Sequence, residues 1–137
     1  MRADDSARHS CDRSVKDLDN ILKRIRKFRD ERDWMQFHNP KDMATAISVE
    51  AAELLQLFLW KNSEEIARCT REKRQEIEEE IADIAIYLLE LADNLNIDLI
   101  QAIEAKLLKN AKKYPAEQVR GSSKKYIEYS RKTEKVR

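Results

Sequence analysis

Residues 47–60, ISVEAAELLQLFLW, and residues 76–92, EIEEEIADIAIYLLELA, decide how this chain is read. Each carries a carboxylate pair at three-residue spacing, Glu50 with Glu53 and Glu80 with Asp83. Three residues is about one helical turn, so each pair projects from one face. The face is the unusual part. With Glu50 as zero on a wheel of about 100° per residue, Met43, Ala46, Ile47, Leu54 and Leu57 all fall within about 60° of it. With Glu80 as zero, Ile77, Ile84, Tyr87 and Leu91 do the same, and Asp83 lies beside it. Two helices thus aim two carboxylates each at the stripe that faces a core. Buried anions are costly unless they are paired or bound to metal. The pattern calls for a cation.

Composition frames that pattern. The 137 residues contain one glycine and two prolines, with 39% charged and 42% hydrophobic residues. Strand-type alternation is absent, so the expectation is an all-α domain built like a four-helix bundle. A net charge of +1 gives no general drive toward nucleic acid or membrane. Cys11 and Cys69 stand in no metal-ligand spacing and read as free thiols of a reducing compartment. No apolar run reaches membrane-span length, and MRADDSARHSCDR has no apolar signal core. The expectation is a cytoplasmic protein.

In chain order, residues 1–12 are polar and without period, which predicts disorder. A first helix is expected from near Ser14 to about Asp33 on the repeat Val15, Leu18, Ile21, Leu22, Ile25, Phe28, with its basic and acidic side in solvent. RDWMQFHNPKD then interrupts the period, and Asn39-Pro40 marks a turn. Trp34 and Phe37 there either plug the end of a bundle or, with His38, form a rim that stacks on a flat ligand. Asp42 is a plausible N-cap for a second helix running to about Trp60. Ser63 caps a short helical turn, and Thr70 reads as the N-cap of a third helix over 71–93. Glu72, Glu78, Glu79 and Glu90 read as its solvated face, with Glu76 on the inner side as a fifth carboxylate near the pair. Asp98 with Gln101 resembles a capping box for a fourth helix, which Pro115 ends. The segment after Pro115 is a basic tail, leaving residues 13–115 as the folded domain.

Four carboxylates on facing helices offer hard oxygen ligands, which suit Mg²⁺ or Mn²⁺. A di-iron site with Glu-x-x-His motifs is excluded, because neither His9 nor His38 follows a glutamate by three residues. Magnesium is commonly shared between carboxylates and substrate phosphates. Lys106, Lys109, Lys112 and Lys113, with Asn110, can meet the phosphate oxygens. The residues therefore point to a divalent-metal phosphohydrolase. A non-catalytic helical dimerisation module is the alternative.

Glu50-x-x-Glu53, then 26 residues, then Glu80-x-x-Asp83 resembles the signature of all-α nucleoside triphosphate pyrophosphohydrolases of the MazG type. ERDWMQFHNPKD, ELLQLFLWK, EEIADIAIYL, KLLKNAKKYP and SSKKY are similar to segments of its dCTP pyrophosphatase branch, in the same order, over residues 28–126. The resemblance implies Mg²⁺-dependent cleavage of a (deoxy)nucleoside triphosphate, dCTP or a modified dCTP, to the monophosphate and pyrophosphate. It implies a homodimer or a dimer of dimers. By that resemblance Glu50, Glu53, Glu80 and Asp83 hold metal, and Glu53 also orients the attacking water. Lys106, Asn110 and Lys113 contact phosphates, and Tyr87 lies near the sugar or phosphate. Trp34, His38 and Trp60 line the base pocket. Lys124, Lys125 and Tyr126 reach a neighbouring subunit. Val49 and Ala52 stand where the family often has glycine, which narrows the pocket.

Overall fold

The computed structural model describes the backbone of residues 5–123 and the side chains of residues 17–123, so the expectations for Lys124, Lys125 and Tyr126 lie outside the described residues. The described residues contain helices and no strand. Six α-helices follow in order: α1 (Asp5–Asp30), α2 (Pro40–Gln56), α3 (Ser63–Glu72), α4 (Arg74–Asn94), α5 (Leu99–Lys113) and the short α6 (Ala116–Val119). They fall into two compact units that meet in sequence at Ile97 and Asp98.

In the first unit α4 is the central element. It packs chiefly along α2, and also against α1 and α3. Met43 of α2, Ile25 of α1, Cys69 of α3 and Ala92 of α4 are its buried apolar residues. The apolar stripe predicted for α2 is realised around Met43, which is 1% exposed, with Ala46, Ile47, Leu54 and Leu57 half-buried.

Several boundaries differ from the sequence reading, most of them for a local reason. α1 begins at Asp5, so residues 5–12, whose polar pattern predicts disorder, have helical backbone. It also ends at Asp30, ahead of the turn in which Asp33 takes a φ of 53°. A single 3₁₀ turn, Met35–Phe37, then carries the chain to α2. Asn39 rather than Asp42 is the N-cap of α2: its side chain accepts from the Asp42 N–H, and Pro40 fills the first turn where its missing donor is harmless. α2 stops at Gln56, four residues short of Trp60, and Trp60 sits at a φ of 61°. Asn62, not Ser63, caps α3 through a reciprocal capping box with Glu65. Thr70 lies inside α3, where its hydroxyl donates to the Ile66 carbonyl, and the break before α4 comes at Lys73.

Phe37 is 60% exposed, so it does not plug the bundle end. Glu76 is exposed and pairs with Lys73 at 3.0 Å, while its charge still acts on Glu80. In the second unit, Asp98 caps α5 by accepting from the Gln101 N–H, and Gly121 turns the chain after α6 at a φ of 72°. Among the described residues no helix is long and apolar enough to cross a membrane.

Candidate active site

The Glu-x-x-Glu and Glu-x-x-Asp pairs meet because α2 and α4 pack along each other. One carboxylate oxygen from each of Glu50, Glu80 and Asp83 lies within 4.8 Å of the others. Glu53 is exposed and stands outside this trio, but close enough to share a hydrogen bond with Glu50 and to act on Glu80 through its charge. Burial first, then Glu53, Asp83 and Glu80, raises the Glu50 pKa. Burial first, then Glu53 and Asp83, raises that of Glu80. Glu80 Oε2 is buried and has no hydrogen-bond partner among the described residues. A buried acceptor without a donor is rare in native structures and costs its full desolvation. These acids repel one another, and a bound cation would offset that repulsion. Oxygen donors at this spacing suit a hard divalent cation.

A cleft of about 810 Å³ opens beside the trio, lined by Glu50, Asp83, Ile86 and Tyr87 on one side and by α1 on the other. Trp34 and His38 also line it. Trp34 meets Phe28 edge-on at 5.8 Å between ring centroids, and the Arg32 guanidinium lies 3.7 Å over the Phe28 ring. His38 stands between Trp34, at 6.3 Å, and Tyr87, at 6.4 Å. The Tyr87 hydroxyl is pushed up in pKa by burial, and further by Glu50, Asp83 and Glu90. The cleft therefore combines carboxylates with the aromatic rings of Phe28, Trp34, His38 and Tyr87 in its lining.

Of the residues expected from the sequence, the structure brings Glu50, Glu80 and Asp83 into one acidic trio with Glu53 at its margin. Trp34, His38, Tyr87, Glu50 and Asp83 share the cleft. Trp60 does not join them; it is 92% exposed beyond the end of α2. Lys106, Asn110 and Lys113 lie on one face of α5 in the second unit, at four- and three-residue spacing.

The sequence reading missed Glu90, Arg29, Arg24 and Lys27, all of which line the cleft. Glu90, expected on the solvated face, is 3% exposed and contacts His38 Nδ1 at 2.6 Å. Arg29, expected on the wet side of α1, is buried and places one guanidinium nitrogen 3.6 Å from Glu90 and 2.9 Å from Asn94 Oδ1. Signals existed for both. Glu90 follows Asp83 by seven residues, about 20° round the helix, and Arg29 follows the core residue Ile25 by four.

Comparison with known proteins agrees with this architecture. The MazG-like family matches residues 45–128. The chain is 39% identical over 113 residues to dCTP pyrophosphatase 1 of Bos taurus, spanning 81% of this chain and 67% of that protein. It is 37% identical over 118 residues to the Mus musculus protein of the same name, spanning 85% and 69%. The crystal structure of a pyrophosphatase from Archaeoglobus fulgidus superposes with a TM-score of 0.69 at 44% identity, covering 72% of this chain and 92% of that one. The paired acidic motifs of α2 and α4, the all-α fold and these similarities together make the chain a member of the MazG-like family.

Proposed function

We propose that this protein is a nucleoside triphosphate pyrophosphohydrolase that converts dCTP or a modified dCTP to the monophosphate and pyrophosphate. One observation carries the reading. A convergent trio of carboxylates, with Glu80 Oε2 lacking a partner among the described residues, borders through Glu50 and Asp83 a cleft that Trp34 and His38 also line. That arrangement suits a ligand with a flat base at one end and a metal-bound polyphosphate at the other. The relatives named dCTP pyrophosphatase 1 support the choice of cytosine.

In this mechanism Glu50, Glu80 and Asp83 would hold Mg²⁺, or Mn²⁺ in its place, with Glu53 as a further ligand at the margin. When bound, the cation offsets phosphate charge that the acids alone would repel. Glu53 orients the water that attacks phosphorus and takes its proton. It suits that role because it is exposed at the margin of the trio and lies beside Glu50. Trp34 and His38 receive the base, and Tyr87 lies toward the sugar. Arg24 and Lys27, on the α1 wall of the cleft, supply positive charge for phosphate oxygens. Lys106, Asn110 and Lys113 are further candidates by chemistry. The catalytic domain spans residues 13–115, and the activity serves to cleanse a cytoplasmic nucleotide pool.

We further propose a homodimer or homotetramer. Val49, Leu55, Leu59, Trp60, Ile81 and Leu88 are all exposed in the first unit, far more apolar surface than a monomer ordinarily leaves in water. Trp60 is then available to a neighbouring copy. Incubation with dCTP and Mg²⁺ should release dCMP and pyrophosphate. Release of phosphate alone, or no reaction across a panel of nucleotides that includes 5-methyl-dCTP, would count against the assignment. Glu53→Gln should reduce pyrophosphate release to background while the circular dichroism spectrum stays helical.

A further inference from the structure

One buried group plays no part in the hydrolysis described above. Glu90 lies on the same stripe of α4 as Glu80, Asp83 and Tyr87, one turn beyond Tyr87, and is 3% exposed. Its Oε1 is 2.6 Å from His38 Nδ1 and 3.6 Å from a guanidinium nitrogen of Arg29. Arg29 is in turn held by Asp30 at 2.7 Å and by Asn94 Oδ1 at 2.9 Å. A carboxylate so placed is not a spare surface charge. Arg29 supplies the opposing charge, and the imidazole takes the short hydrogen bond.

With Arg29 beside it, an ionised Glu90 carboxylate only accepts, and the hydrogen in the 2.6 Å contact is then carried by His38 Nδ1. In the singly protonated ring the other nitrogen, Nε2, then has a lone pair and no hydrogen. Trp34 and Tyr87 flank the ring and limit its rotation. His38 itself lines the cleft. The ring that meets the ligand is thereby fixed in both orientation and tautomer by a residue behind it.

We infer that Glu90 is a positioning residue for base selection: it holds His38 in the Nδ1–H form, so that Nε2 faces the nucleotide as a hydrogen-bond acceptor. The matching group on a base is an N–H donor, such as the exocyclic amino group of cytosine, and a carbonyl oxygen at the same place is rejected. This rests on the proposed function, in which Trp34 and His38 receive the base. It goes further by naming the residue that sets which hydrogen-bond pattern His38 presents. A site built to accept from a donor discriminates strongly against an analogue that lacks it, because its own polar group is then left unpaired.

Two measurements test this, and they separate it from the activity assignment. The chain has only two histidines, His9 and His38, so a ¹⁵N imidazole spectrum with His9→Gln for assignment reads His38 directly. The nucleotide-free protein at a pH where the ring carries one proton should show Nδ1 protonated and Nε2 bare. The paired variant Arg29→Met/Glu90→Leu removes both charges together, which buried ion pairs tolerate. It should shift His38 toward the Nε2–H form. In the same variant the kcat/KM preference for dCTP over dUTP should fall about 10-fold, mainly through KM for dCTP. Glu90→Gln, whose amide oxygen still accepts from Nδ1, should restore part of that preference. An Nε2–H ring in the native protein overturns the inference, as does an unchanged dCTP to dUTP ratio in the paired variant. A native protein that hydrolyses no nucleotide refutes the activity assignment instead, and the imidazole spectrum then decides on its own whether Glu90 sets the tautomer.

Discussion

Two carboxylates on one stripe of α4, Glu80 and Glu90, meet opposite fates about 15 Å apart along the helix axis. Glu80 shares its end with Glu50, Asp83 and Glu53, has a raised pKa, and buries Oε2 without a partner among the described residues. Glu90 is more deeply buried, yet it has Arg29 for charge and His38 for a hydrogen bond. The fold supplies cations to one end and withholds them from the other. Burial of an acid is therefore not by itself the mark of a metal site. Burial among other acids, with an oxygen left over, is what distinguishes the end that binds.

The largest effect expected from breaking this contrast comes at Glu80. Glu80→Gln should lower pyrophosphate release on the order of 1,000-fold, since it removes a ligand where transition-state charge is met. The same change should raise the melting temperature of the metal-free protein, because one of the repelling anions has gone. Full activity, or a lower melting temperature, would remove the distinction between the two ends. Glu90→Ala should act in the opposite sense. It takes one of two carboxylates from the buried Arg29 guanidinium, leaving Asp30, and removes the acceptor of His38 Nδ1, which should destabilise the fold by about 2 kcal/mol, measured as a shift in the urea midpoint. If Glu90→Ala leaves the midpoint in place, the Arg29 contact contributes nothing to the fold.

Ligand removal sharpens the same comparison at a smaller scale. Mg²⁺ with a non-hydrolysable dCTP analogue, at about 100 times its Kd, should stabilise the folded protein by about 2.7 kcal/mol. Chelation should abolish the shift, and Glu80→Gln should not show it, while Glu90→Gln should keep it. A shift equally strong in Glu80→Gln would move the metal away from the trio.

How much of this was legible beforehand differs between the two ends for a physical reason. Helical period alone puts Glu50 and Glu53, and Glu80 and Asp83, with the apolar stripes of their own helices; that Asp83 joins Glu50 and Glu80 while Glu53 stays at the margin depends on how α2 packs on α4. Glu90 is about 80° from Glu80 on the same wheel, at the margin where solvent or a third helix is equally compatible. What decides its burial is α1, whose Arg29 and adjoining His38 come from more than 50 residues away in sequence. Arg29 itself looked like one more cation on a charged face, and only its four-residue offset from Ile25 distinguished it. Trp60 illustrates a third limit. The helical period runs unbroken through LQLFLW, with no glycine or proline, but α2 ends at Gln56 and the ring emerges at a positive φ, largely in water. The break at Lys73 is equally silent, since the residues on both sides of it are good helix formers.

The smallest expected effect lies one turn past Glu90, where Asp93 meets Arg26 in a bidentate pair that is partly exposed. The hydrogen bond from Arg26 lowers the Asp93 pKa; burial opposes this, and the Arg26 and Arg29 charges add to it. The folded value thus lies below the ordinary 3.8. The pair's contribution is fully present above that value and is lost as the pH falls through the folded one. Glu50 and Glu80 have folded values above the ordinary 4.5, so for them the sign reverses: proton uptake relieves repulsion and favours the folded state as the pH drops. Acid should therefore loosen one end of α4 while it quiets the other. Unfolding free energy followed from pH 6 to pH 3 in the native protein and in Asp93→Asn isolates the Arg26 pair as the difference between the two curves. That difference should be constant at the upper end and shrink below about pH 4. A difference that grows on acidification would mean that Asp93 is held protonated in the fold, and that its pairing with Arg26 is not what joins α1 to α4 there.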